Sequence, residues 1–135
     1  MYKKIMVAVD GSETANKALE EAQNIADSYN ASLCIIHSAK SDDDADVQAG
    51  KQILEKASDS VDALSIETRL VHADILHGLN GISEAIAAAA QEWGADLVIV
   101  GTANRRGLER FVIGSVAEQL VSKVEASILL VRPDA

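Results

Sequence analysis

Four short runs of consecutive apolar residues, each separated from the next by a segment with helical spacing, leave this chain few folds to choose from. Ile5 to Val9, Leu33 to Ile36, Leu97 to Val100 and Ile128 to Val131 are too short for helices and have no polar alternation. That is how a strand reads when both of its faces are covered, as in a parallel sheet. Between them Ala15, Ala18, Leu19, Ala22, Ile25, Ala26 and Tyr29 recur at three- and four-residue steps, as do Ile82, Ala85, Ile86, Ala89, Ala90 and Trp93. Each set is one face of a helix. Val47, Ile53, Leu54, Ala57 and Val61 mark a weaker helix after an acidic loop, Asp42 to Asp46. Val116, Ala117, Leu120, Val121 and Val124 mark a last one.

Ile66 to Val71 is different, because it alternates apolar and polar residues. A strand with one wet face in such a sheet belongs at an edge. The order βαβαβαβαβ predicts an α/β fold, a doubly wound five-stranded parallel sheet with helices on both faces. The 135 residues amount to one domain, 1–135, large enough to hold a core without metal or disulfide.

Composition excludes several functions. A net charge of −9 opposes nucleic-acid binding, whose affinity comes largely from neutralising phosphates. The scarcity of aromatic residues leaves no stacking platform for single strands. Met1 to Lys4 runs straight into only five apolar residues, which does not read as a signal peptide, and no apolar run approaches the roughly 20 residues of a spanning helix. The single cysteine, Cys34, sits inside an apolar run and reads as a small buried hydrophobe in a reducing compartment. The expected location is the cytoplasm.

In doubly wound sheets ligands bind beyond the carboxyl ends of the strands, where neighbouring connections leave to opposite faces. Two apolar strands end in glycine-bearing turns, at Asp10-Gly11-Ser12 and at Gly101. From Gly101 the chain makes an excursion through Asn104, Arg105, Arg106 and Arg110 and returns at Gly114-Ser115 to open a helix. Three arginines against one glutamate make that segment locally positive within an acidic chain. Helix starts attract anions and glycine allows a phosphate close to the backbone. The same residues also describe a solvated surface loop whose glycines only make turns, and the residues alone leave both readings open.

Val7 to Ser12 (VAVDGS), Asp96 to Thr102 (DLVIVGT), Ile113 to Glu118 (IGSVAE) and Ile128 to Pro133 (ILLVRP) together resemble the universal stress protein family. The resemblance spans essentially the whole chain. It implies strand order 3-2-1-4-5, in agreement with the edge position of the third strand, and a homodimer paired through the last strands. It also implies an ATP site, with Mg2+, of the pattern Gly, two residues, Gly, nine residues, Gly, then Ser or Thr. Here Gly101, Gly114 and Ser115 fill three of those positions and Asn104 replaces the second glycine. Asn tolerates positive φ better than other residues with a side chain.

The resemblance further implies that Asp10 contacts the adenosine end and the backbone around Ser38 borders the adenine. Gly101 would pass under ribose and phosphates, and Asn104, Arg105, Gly114, Ser115 and Val116 would face the triphosphate. Asp10 reads equally as a turn or N-cap acid, Ser115 as a helix cap, and Arg105 and Arg106 as solvated side chains. Asn104 and Ala103 motivate a rival, a family member that has lost ATP and acts as a homodimeric interaction module.

The dinucleotide fingerprint and the Gly-Lys-Ser/Thr loop are both absent. His72, Asp74 and His77 offer at most three metal ligands without suitable spacing. No nucleophile, base and orienting acid can be assembled from the strand ends. The expected role is therefore nucleotide binding in a stress or regulatory response, with turnover slow at most.

Overall fold

In a computed structural model the chain folds around one five-stranded sheet, and the structure describes residues 1–39, 41–62, 65–72, 79–102 and 115–132. The elements are β1 (Lys4–Ala8), α1 (Glu13–Tyr29), β2 (Ser32–Ala39), α2 (Asp44–Ser60) and β3 (Ile66–His72), then α3 (Leu79–Trp93), β4 (Leu97–Gly101), α4 (Ser115–Lys123) and β5 (Ser127–Val131). The strand order is β3-β2-β1-β4-β5 and every neighbouring pair is parallel. The alternating strand is indeed an edge.

Strand alternation sorts the core into two layers. Ile5, Val7, Leu33, Ile35, Leu97 and Ile99 pack against Ala18, Leu19 and Ala22 of α1 and Leu54 and Ala57 of α2. Met6, Cys34, Ile36, Val98 and Val100 pack on the other face against Ile86, Ala90 and Trp93 of α3 and Ala117 and Leu120 of α4. Each fully buried Val, Leu, Ile or Met among them contributes about 1.5–3 kcal/mol. The helix that follows β1 and the helix that follows β4 thus lie on opposite faces, and the two strands are neighbours. This is the switch point.

The helix ends follow local chemistry. Asn30 closes α1 in the left-handed region (φ 56°) and Gly94 follows α3 at φ 82°, where a side chain other than Asn is strained. The acidic segment after β2 is not wholly a loop, as the sequence suggested. Asp44 and Asp46 belong to the first turn of α2, where the helix dipole favours negative charge. Ser41 Oγ donates to Asp46 Oδ2 at 2.7 Å and accepts from the Asp43 N–H at 3.1 Å. Val121, read as part of the buried stripe of α4, is 58% exposed.

The amino-terminal pole of the sheet is tied by side chains. Asp96 accepts the backbone N–H groups of Lys3 and Lys4 at 2.8 and 3.1 Å. Lys4 Nζ donates to the Trp93 carbonyl at 2.9 Å and lies 5.0 Å from the centre of the Trp93 ring. Trp93 Nε1–H in turn donates to Glu67 Oε1 of β3 at 2.8 Å.

Candidate functional site

The opposite pole carries the residues singled out from sequence. β1 ends at Ala8, and the Val9 N–H continues the ladder to the Ile36 carbonyl at 2.9 Å. The chain then turns. Asp10 Oδ1 accepts the Ser12 N–H at 2.9 Å, Gly11 takes φ 85°, and Ser12 caps α1 by accepting the Ala15 N–H at 3.1 Å. Asp10 therefore serves the turn, while its exposed carboxylate keeps acceptor sites in hand. The Asp-Gly-Ser sequence dictates all three features, since Gly admits the positive φ and Ser is a favoured cap.

Gly101 closes β4 beside this turn. A β-carbon built on it would stand 2.7 Å from Thr14 Cγ2 and 3.3 Å from the Thr14 carbonyl carbon. The glycine is thus required by the close approach of α1, independently of any ligand. Thr102 continues the strand, donating its N–H to the Val131 carbonyl at 2.8 Å. By alternation it shares the α3/α4 face with Val98 and Val100.

Ser38 lies within β2 in register with Val71, on that same face. Its Oγ and the Thr14 Oγ1 are buried side-chain oxygens without a hydrogen-bond partner among the described residues. Two orphan hydroxyls at one end of a sheet are unusual, because buried polar groups are nearly always paired.

His37 was not singled out by sequence reasoning. Its Nδ1 lies 2.7 Å from the Val9 carbonyl oxygen. A carbonyl can only accept, so the ring donates through Nδ1–H. The ring sits beneath α2 at Gly50, where an added β-carbon would be 3.0 Å from His37 Cδ2 and 2.8 Å from Leu70 Cδ1. A glycine in the middle of a helical segment was the available signal, since it usually marks a close packing contact.

The structure brings Asp10, Ser38 and Gly101 to one pole. Ser115 and Val116 open α4, the helix that follows β4. Asn104, Arg105, Arg106 and Gly114 lie outside the described residues, as do Asp74 and His77. His72 ends β3, its Nδ1 3.3 Å from the Ser41 carbonyl oxygen. A groove of about 830 Å³ between α1 and α2, lined in part by Gly11, Leu19, Ile53 and Lys56, lies on the other side of the sheet from α4. Among the described residues no helix is long and apolar enough to cross a membrane.

Comparison with known proteins bears directly on this arrangement. The sequence model of the Universal stress protein family matches residues 1–132. The chain belongs to this family. A universal stress protein of Methanocaldococcus jannaschii is 27% identical over 98% of this chain and 83% of its own length. A putative universal stress protein of Staphylococcus haemolyticus is 31% identical over 98% of this chain and 86% of its own. Among solved structures, a universal stress protein in complex with cAMP superimposes with a TM-score of 0.75 at 25% identity, covering 96% of this chain and 97% of its own. A second, from Archaeoglobus fulgidus, reaches a TM-score of 0.77 at 22% identity over 97% and 99% of the two chains. Both the sequence resemblance and the strand order expected from it hold for this universal stress protein.

Proposed function

We propose that this universal stress protein binds an adenine nucleotide, ATP with Mg2+, across the β1/β4 switch point and uses it as a regulatory ligand in the cytoplasm. The observation that carries the reading is two orphan hydroxyls at the carboxyl pole of the sheet, Ser38 Oγ on the α3/α4 face and Thr14 Oγ1 in the first turn of α1 beside Gly101. A polar ligand or ordered water at this pole would satisfy groups that otherwise destabilise the fold. The family relative in complex with cAMP supports adenine chemistry.

In this reading Asp10 engages the adenosine end and the β2 backbone at Ser38 borders the base. Gly101 runs beneath the ribose and phosphates. The backbone at Ser115 and Val116, the first turn of α4, faces the phosphates with Asn104, Arg105 and Gly114, because helix N-termini stabilise anions. Mg2+ accompanies the phosphates, as that ion keeps most of its water and uses few protein ligands. Two copies pair through the free edge of β5.

Calorimetric titration of nucleotide-stripped protein with ATP and Mg2+ tests the site, alongside Asp10→Ala and Gly114→Asp. Micromolar binding weakened at least about tenfold in both variants is expected, from loss of a charged hydrogen-bond partner or intrusion of a negative one. Equal affinity in all three proteins refutes the placement. Absence of heat in the parent protein, with an unchanged melting temperature, leaves a nucleotide-independent dimer as the function.

A further inference from the structure

The carbonyl of Val9 is the last backbone acceptor before the chain leaves the sheet for Asp10. Its partner is a side chain, the Nδ1–H of His37 at 2.7 Å. The ring cannot swing away freely, because it fits under α2 only where Gly50 has no side chain, with Leu70 also packed there. Val9 is consequently held from both directions, its N–H by Ile36 and its carbonyl by His37. The next residue, Asp10, already accepts from Ser12 and sits one bond from this anchor.

We infer that His37 is a positioning residue. It fixes the exit of β1, and with it the Asp10 carboxylate, through the Val9 carbonyl, so that packing of α2 on β2 sets the shape of the nucleotide pocket. The structural half stands on the hydrogen bond and the Gly50 clearance. The consequence for affinity rests on the nucleotide reading above. An alternative in which the ring merely fills space under α2 makes a different prediction, since then the position of its donor atom is irrelevant.

Two amide substitutions separate these possibilities. The amide nitrogen of Asn stands close to where His Nδ1 does, whereas that of Gln is displaced outward by one bond. His37→Asn can therefore keep the donor on Val9, and His37→Gln cannot. Amide hydrogen exchange at Gly11 and Ser12 is measured by NMR in nucleotide-free protein, and ATP with Mg2+ is titrated into each variant separately.

We expect His37→Gln to speed exchange at the turn and weaken ATP binding, each by about fivefold, the worth of one partly buried hydrogen bond. His37→Asn should recover most of both. Parent-like exchange in the Gln variant overturns the inference, and so does an Asn variant as impaired as the Gln one. If His37→Gln fails to fold, the Asn variant decides, with unimpaired exchange supporting the inference and faster exchange refuting it. Should the parent protein bind no ATP while exchange follows the expected order, the nucleotide reading fails and the positioning role stands.

Discussion

Gly101 and Thr14 touch across the switch point so closely that a β-carbon on the glycine would lie 2.7 Å from the threonine methyl. The contact joins the end of β4 to the first turn of α1, and Thr14 is only 2% exposed. Gly101→Ala should destabilise the protein by about 1–3 kcal/mol, the usual cost of overpacking a filled site. Thr14→Ser, which removes the methyl and keeps the hydroxyl, should recover part of that loss in the double variant. Additive losses in a double-mutant cycle of urea unfolding would show that the two residues are not coupled.

Cys34 is a buried thiol whose pKa is pushed up to about 12, chiefly by desolvation and further by Glu67, with Arg69 acting in the opposite direction. Native protein at pH 8 should resist alkylation by iodoacetamide, while protein in 6 M urea should be labelled completely, a contrast read by mass spectrometry. The folded chain keeps the thiol proton longer than the unfolded one. Cys34 thus contributes stability that is complete below pH 9.0 and falls as pH rises toward 12. The stability gap between the parent and Cys34→Ala should narrow over that interval.

Asp96 holds two backbone N–H groups of the amino-terminal residues. Both bonds are solvent-accessible, so Asp96→Ala should cost about 1 kcal/mol and lower the melting temperature by about 3 °C. Asp96→Asn retains one acceptor oxygen and should fall between the two. A calorimetric scan that shows no difference between parent and Asp96→Ala would mean that water replaces the clamp at no cost.

The free edge of β5 is the proposed dimer contact. The Ser127 N–H donates toward β4, to the Asp96 carbonyl, so by alternation the N–H groups of Ile128 and Leu130 face outward. Leu130→Pro should remove an edge donor while sparing the β4 ladder. Sedimentation at micromolar concentration should give a dimer for the parent and a monomer for the variant. A monomeric parent protein rules out the contact.

Much of this architecture is legible in the residues because a strand covered on both faces must be apolar throughout. Ile5, Leu33 and Leu97 announce their strands for that reason, and the wet alternation of Glu67 and Arg69 announces an edge. What escapes is whatever depends on residues distant in the chain. β2 extends through His37 and Ser38 to a buried Ala39, and no apolar run reveals the two polar positions, because they serve the pole rather than the core. Asp44 and Asp46 read as a loop by charge, yet the dipole of α2 makes them favourable in a helix. Asp10 and Gly101 were visible as turn residues after buried strands. The bond from Ser12 to Asp10 is local and follows from Asp-Gly-Ser, whereas the contact that fixes Gly101, to Thr14, follows only once β4 lies beside the start of α1.

The sorting of β1 and β4 side chains into two layers bears on how this protein could diverge. Inserting one residue between Lys4 and Val9 would exchange the partners of Met6 and Val7, sending each toward the wrong pair of helices. Length changes are therefore barred from the strands, and from the pole locked by Lys4, Asp96 and Trp93. They are tolerable where the chain leaves the carboxyl ends. Lineages sharing this scaffold can remodel what they recognise without renegotiating how they fold.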